Sequence, residues 1–156
     1  MPRPRRLAND QGETLIELII AVAIMGIAMV SIVSGIGTSI LMSDVHRKQA
    51  TAGAYVRDYA EKVETYVAGA GYTPCAPAST YTPSTVGFAL PSGGYGAAAT
   101  AALSWNGSAW VACSADNGYQ KVTLIISNND GRASESLDVV LRQPCRTSDW
   151  ASSPCT

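Results

Sequence analysis

A single carboxylate, Glu17, lies at the start of a long apolar run, where a charged side chain indicates a functional role. Residues Leu18 to Val30 contain no charged or strongly polar side chain, and the run reaches Met42 if serine, threonine and glycine are tolerated. About 20 apolar residues cross a bilayer as a helix, so the run predicts a membrane-spanning helix. An ionisable group in such a helix costs at least ~2.5–3.5 kcal/mol and by default marks a functional site. We therefore expect Glu17 to need a cationic partner that its own helix does not supply.

Residues 1–12, MPRPRRLANDQG, form a short polar leader with three arginines. A secretory signal peptide has an apolar core of only about 7–15 residues, followed by a small-residue cleavage site. Here the predicted break lies before the apolar run, at Gly12, which keeps the helix and creates a new amine on Glu13. The carboxylate of Glu17 lies four residues on, about one helical turn from that amine. The two groups can pair within one chain, or better between neighbouring helices of an assembly.

The segment from Gly12 to Leu18, followed by Ile19 to Gly26, resembles the N-terminal signal of type IV pilins and type II secretion pseudopilins. The resemblance covers roughly residues 12–40. It implies that a membrane prepilin peptidase cuts between Gly12 and Glu13 and then N-methylates the new amine of Glu13. It also implies that Glu17 neutralises the N-terminal amine of an adjacent subunit during filament assembly.

Two features depart from the family pattern. Glu13 stands where most members carry Phe, and the apolar run contains no proline. Gly26, Gly35 and Gly37 are its helix-weakening residues, each disfavoured by ~1 kcal/mol relative to Ala. They either loosen the helix during assembly or allow close packing between helices.

The charge distribution predicts the orientation of the chain and disfavours one class of partner. The three leader arginines place the N-terminus in the cytoplasm and the bulk of the chain outside. The whole chain has a net charge of −1, and loss of residues 1–12 would leave eight basic and eleven acidic residues, hence −3. Nucleic acid is therefore not an expected partner.

The four cysteines all lie beyond residue 70, and none forms a C-x-x-C pair. This predicts two disulfides in an oxidising compartment, and three connectivities remain open. The short loop between Cys145 and Cys155 favours that pair, which would leave Cys75 to pair with Cys113.

The helix is predicted to continue beyond the membrane. After the polar group around His46, apolar residues recur at spacings of three and four, which is one face of an amphipathic helix: Ala52, Tyr55, Val56, Tyr59, Ala60, Val63, Tyr66 and Val67. We expect one helix from about Glu13 to Ala68, ended by the glycines that follow. The tyrosines of this stripe are predicted to lie in the core.

The rest of the chain predicts a surface loop and then a sheet. Residues 73–102 are rich in Pro, Ser, Thr, Gly and Ala and read as a loop. Asn106-Gly107 is a two-residue hairpin signal that would place Leu103 opposite Trp110. Strands are predicted at 102–105, 108–113, 119–127 and 133–142. The predicted fold is α+β, with a long N-terminal helix on a four-stranded antiparallel β-meander.

The sequence therefore predicts three regions: a cleaved leader at 1–12, a transmembrane and assembly half of the helix at 13–43, and an extracytoplasmic head at 44–156. The expected function is a structural subunit of a type IV pilus-like or pseudopilus filament. The alternatives are a minor subunit that primes or caps a filament, and a monomeric membrane-anchored binding ectodomain. The expected partners are prepilin peptidase, identical or related subunits, the assembly machinery and membrane lipid.

Enzyme chemistry is not expected. The chain has one histidine, His46, which is predicted to be solvated near the membrane boundary. The sequence contains no phosphate loop or nucleophile elbow and no metal-ligand pattern. No catalytic residue, metal or cofactor is therefore predicted.

Overall fold

A computed structural model describes residues 14–90 and 92–145. The chain divides into two compact units, Met1–Ser43 and Asp44–Thr156, which are described separately. We call residues 15–42 of the first unit the apolar segment and the second unit the head. The predicted cleavage residues Gly12 and Glu13 lie outside the described residues, as does Cys155.

Helix α1 spans Leu15–Tyr66 and includes both the apolar segment and the amphipathic stripe. It ends in a wider helical turn, Val67–Gly71, in which Ala70 adopts a positive φ of 96°. A Cβ on Gly71 would lie 2.2 Å from the ring of Tyr66, so only glycine fits there. The glycines predicted to end the helix do lie at its end.

The head contains a five-stranded antiparallel sheet. Its strands are β1 (Tyr95–Ala99), β2 (Leu103–Trp105), β3 (Trp110–Ala112), β4 (Tyr119–Asn128) and β5 (Ser134–Arg142), with a short helix α2 (Pro83–Val86) before them. Strand β4 is central: it pairs with β5 along one edge and with β1 and β2 along the other. Strand β3 pairs with β2.

The predicted α+β class is confirmed, but the four-stranded meander is wrong in two details. Strand β1 lies within the segment predicted to be a loop, and its sequence YGAAA has no β-branched residue. It forms because residues 124–128 of β4 supply its pairing partners. The second strand rather than the third pairs with β4, so the order is not that of a meander.

The β2–β3 hairpin has a longer loop than predicted. The Asn106 side-chain oxygen accepts hydrogen bonds from the backbone N–H groups of Ser108 and Ala109, at 3.0 and 2.9 Å. This side-chain-stabilised turn occupies four residues rather than two. Trp105 therefore pairs with Trp110, and the predicted pairing of Leu103 with Trp110 is wrong.

The core lies between the stripe of α1 and the inner face of the sheet. Tyr59 is fully buried, its ring stacks on Phe88 at 5.0 Å between centroids, and its hydroxyl donates to the Tyr81 carbonyl. Burial raises the pKa of Tyr59 to about 12. Tyr55 and Tyr66 pack against the edge of this core. The predicted core role of the tyrosine stripe is confirmed.

The segment 73–102 is not merely a surface loop, which corrects its prediction. Tyr81, Val86 and Phe88 are buried in the same core as the helix. Single apolar residues among prolines and serines show no period, so their burial is visible only once the sheet has formed.

A disulfide and one carboxylate join the loop after α1 to the loop before β4. Cys75 and Cys113 are disulfide-bonded, with their Cα atoms 5.3 Å apart, in the favoured pairing. The Asp116 carboxylate accepts hydrogen bonds from the Tyr72 hydroxyl and from the backbone N–H groups of Cys75 and Gly118. Burial and this neighbouring carboxylate raise the pKa of Tyr72 above its usual range.

Gln120 is the polar member of the inner face of β4, and it is fully buried. Its amide donates to the Thr73 carbonyl and the Tyr81 hydroxyl, both at 3.0 Å, and accepts from the Ala76 N–H at 3.2 Å. A buried amide is tolerated when its donors and acceptor are paired in this way. The pattern of alternating apolar residues in β4 did not reveal this contribution.

Candidate functional site

The apolar segment presents a surface with no packing partner among the described residues of its unit. All residues from Leu15 to Met42 are exposed, and the large hydrophobic side chains retain between 53% (Ile20) and 78% (Leu15) of their accessible area. The hydroxyls of Ser31 and Thr38 donate to the carbonyls four residues earlier, so these polar groups are satisfied within the helix. Such a surface is stable only against lipid or other helices.

Charged residues are absent from 18–43, a stretch of about 39 Å at 1.5 Å per residue. The hydrocarbon core of a bilayer is about 30 Å thick. By length and composition, α1 is the one helix of the described residues suited to crossing a membrane.

Glu17 lies in the first turn of α1, and its side chain is exposed. The Thr14 carbonyl accepts hydrogen bonds from the N–H groups of Glu17 (2.9 Å) and Leu18 (3.3 Å), which starts the helix there. Thr14 and Glu17 have the spacing of a capping box, and a carboxylate is favoured near the positive end of the helix dipole. Within residues 14–90 and 92–145, no ion pair of Glu17 is present.

The predicted site residues belong to different units of the chain. Glu17 is in the first turn of α1, whereas the Cys75–Cys113 disulfide is in the head. His46 is exposed, as predicted. The amine of Glu13 and the proposed Cys145–Cys155 bridge involve residues outside the described part of the chain.

The three glycines of the apolar segment are not required by contacts within the described chain. A Cβ at Gly26, Gly35 or Gly37 would meet nothing within 4 Å. Helix α1 nevertheless continues through all three. Both predicted reasons for the glycines, helix loosening during assembly and close packing with another helix, therefore stay predictions.

A second candidate site lies on the outer face of the sheet, the face opposite α1. Trp105, Trp110, Tyr119, Val140 and Arg142 line a cleft of about 380 Å³. The two indole rings lie 5.5 Å apart, and the Trp110 and Tyr119 rings lie 6.2 Å apart, both edge to face. This cleft was not predicted from the sequence. Its lining residues come from four different strands, so no local pattern in the sequence indicated it.

Charged groups border the cleft. The Lys121 ammonium lies 5.8 Å from the centre of the Trp110 ring and donates to Asp138 at 2.9 Å. The Thr123 hydroxyl also donates to Asp138, at 2.6 Å, and these two hydrogen bonds hold the pKa of Asp138 below its usual value. Arg142 is exposed, and no ion-pair partner for it is present in the described part of the chain.

Helix α1 is long and apolar enough to anchor the protein in a membrane, and the head is an α+β domain. Residues 7–33 match the family model of the prokaryotic N-terminal methylation motif, which is the signal of type IV pilins and pseudopilins. The match supports a pilin-like or pseudopilin precursor, a class of structural proteins. The search of curated proteins and the search of solved structures found no match.

Proposed function

We propose that this chain is a structural subunit of a type IV pilus-like or type II secretion pseudopilus filament. In this proposal, prepilin peptidase cuts the precursor after Gly12 and methylates the amine of Glu13, and the subunits polymerise through the apolar segment. The subunit starts in the cell membrane with its N-terminus in the cytoplasm, and its head becomes extracellular on assembly.

The observation that carries the proposal is the exposed apolar segment, residues 15–42, which overlaps the methylation motif at residues 7–33. Exposed apolar surface of this length needs lipid before assembly and neighbouring helices after it. Moving from lipid into a bundle gives little hydrophobic gain, because lipid tails are as apolar as the side chains. A directional polar contact can therefore set the position of each incoming subunit.

Glu17 is the group proposed to make that contact. Its carboxylate is exposed in the first helical turn, four residues along the chain from the amine that cleavage would create. Pairing it with the Glu13 amine of a neighbouring subunit would remove two charges from an apolar surrounding together. A buried charge left alone costs much more than a buried pair, so the contact would reject subunits that dock out of register.

The decisive variant is Glu17→Gln, because glutamine can still serve in a capping box while it lacks the charge. We expect normal cleavage, measured by the mass of the membrane-extracted chain, and filament yield reduced by at least about tenfold. Glu61→Gln, at an exposed position of the same helix in the head, is the matched control and should assemble normally.

Filament yield unchanged in Glu17→Gln would overturn the pairing. A chain that still begins at its leader, in a host with active prepilin peptidase, would overturn the processing and favour a monomeric anchored ectodomain. Low copy number with a location at the filament tip would instead favour a priming or capping subunit.

A further inference from the structure

The outer face of the sheet carries a row of side chains that the proposed assembly does not use. Trp110 pairs with Trp105 across β3 and β2, and Tyr119 pairs with Arg142 across β4 and β5. Leu103 of β2 lies opposite Lys121 of β4, so two residues further the same register brings Trp105 beside Tyr119. Three aromatic rings and one guanidinium thus cross four neighbouring strands, a span of about 14 Å.

We propose that this cleft binds an acidic saccharide, with sugar rings on the aromatic side chains and a ligand carboxylate on Arg142. Its volume of about 380 Å³ lies within the range of small-ligand sites, about 300–1,000 Å³. Such sites combine mostly apolar walls with a few polar groups that fix orientation, which describes this cleft. The row is longer than a single sugar ring, so a short oligosaccharide fits it.

The aromatic part supplies contact area. Trp105, Trp110 and Tyr119 are each partly exposed, and each ring is held by an edge-to-face neighbour. Rings fixed in this way lose little conformational freedom when a ligand packs on them, and tryptophan and tyrosine keep a polar edge for hydrogen bonds. The carbon–hydrogen faces of a sugar ring suit such a surface, while its hydroxyls point outward to the rim.

The rim supplies groups of both hydrogen-bonding types. Lys121 donates, the Asp138 carboxylate accepts, and these two side chains already hold each other in place. Sugar hydroxyls both donate and accept, so they match this mixed rim. Arg142 has no ion-pair partner among the described residues, and a guanidinium binds a carboxylate through two parallel hydrogen bonds. The preferred sugar is therefore an acidic one.

Two other ligand classes fit less well. A nucleic-acid strand needs several cations along its phosphates, whereas Arg142 is the one cation that lines the cleft among the described residues. A second head would have to bury Arg142 against a carboxylate of its own, and Asp138, the carboxylate described on the outer face of the sheet, is already paired with Lys121. Assembly through residues 15–42 requires none of the cleft residues, so the two proposals can fail separately.

The test is a calorimetric titration of the full chain in detergent micelles, with tryptophan fluorescence as a second readout. The probes are trigalacturonate, neutral maltotriose and a short oligothymidylate. We expect saturable binding of trigalacturonate and clearly weaker binding of the other two. Arg142→Gln should weaken trigalacturonate binding about tenfold, the size expected for a lost charged hydrogen bond. Arg57→Gln, at an exposed arginine of α1, is the matched control and should bind as the unmodified chain does.

Three results would overturn the proposal. They are no saturable binding of trigalacturonate, equal binding by the Arg142→Gln variant, and tighter binding of oligothymidylate than of trigalacturonate. Equal affinity for maltotriose and trigalacturonate would likewise refute the role assigned to the guanidinium.

Discussion

The apolar segment and the head differ in the exposure of their hydrophobic side chains. In the apolar segment, large side chains such as Ile27 and Val33 remain about 70% exposed. In the head, Tyr59, Val63 and Leu124 have no accessible area. The head therefore obtains its hydrophobic stabilisation from its own sheet, whereas the segment must obtain it from lipid or from other helices. The head is therefore stabilised by contacts within the chain, whereas the apolar segment depends on its surroundings.

Among the substitutions that test this difference between the head and the apolar segment, Tyr59→Ala should have the largest effect on stability. Removing a fully buried aromatic ring costs about 3–5 kcal/mol. Loss of its hydroxyl also removes a donor from the buried Tyr81 carbonyl, which adds about 1–3 kcal/mol. We expect the free energy of unfolding of the head to fall by about 5 kcal/mol, measured by denaturant titration in micelles.

Ile27→Ala on the same helix is the control for Tyr59→Ala. Ile27 lies in the apolar segment and is 70% exposed, so the head should unfold at the same denaturant concentration as in the unmodified chain. A comparable loss from both substitutions would break the distinction between the two regions.

The second prediction concerns the Cys75–Cys113 disulfide of the head. The Cys75–Cys113 bridge has a sequence separation of 38 residues, and chain-entropy estimates for a loop of this size give about 4 kcal/mol. Replacing both cysteines by serine should lower the free energy of unfolding by about that amount. Membrane insertion and the proposed cleavage of the leader should not change, because neither involves the head. Unfolding of the double variant at the same denaturant concentration would show that the Asp116 and Gln120 contacts already fix this region.

Regular periodicity made part of the fold predictable. The stripe of α1 and the alternation of Val122, Leu124 and Ile126 in β4 each repeat often enough to identify both the element and its buried face. Strand β1 has no such signal, since its small residues have little preference for a strand and it forms only against β4. The predicted hairpin register was wrong for a local reason, because the Asn106 side chain stabilises a longer turn.

The same contrast between local sequence patterns and tertiary pairing applies to the two candidate sites. Glu17 could be singled out from the sequence because a carboxylate in an apolar run is costly, and its role in assembly stays a prediction. The outer cleft was not predictable, because it brings together residues from four strands whose order and register are set by tertiary pairing. Trp110 and Arg142 are more than thirty residues apart, and no local pattern connects them.

The smallest predicted effect lies at the start of the head, where Lys48 of α1 bridges two carboxylates. Its ammonium lies 3.0 Å from Asp44 and 2.7 Å from Asp130 in the β4–β5 turn. The hydrogen bonds from Lys48 hold the pKa values of both carboxylates below their usual range, and the one to Asp130 raises the pKa of Lys48. Exposed ion pairs contribute little, so we expect Lys48→Met to lower the melting temperature of the head only slightly.

The direction of these shifts determines how the Lys48 effect depends on pH. Because the carboxyl pKa values are lowered on folding, their contribution is present above about pH 4 and is lost as the pH falls further. Because the Lys48 pKa is raised, its contribution is present below about pH 10 and is lost above that value. The difference in melting temperature between the unmodified chain and Lys48→Met should therefore be constant from pH 5 to 9, and should shrink at pH 3 and in high salt. A difference that persisted at pH 3 would mean that the Lys48 side chain stabilises the head by packing on its neighbours rather than by its charge.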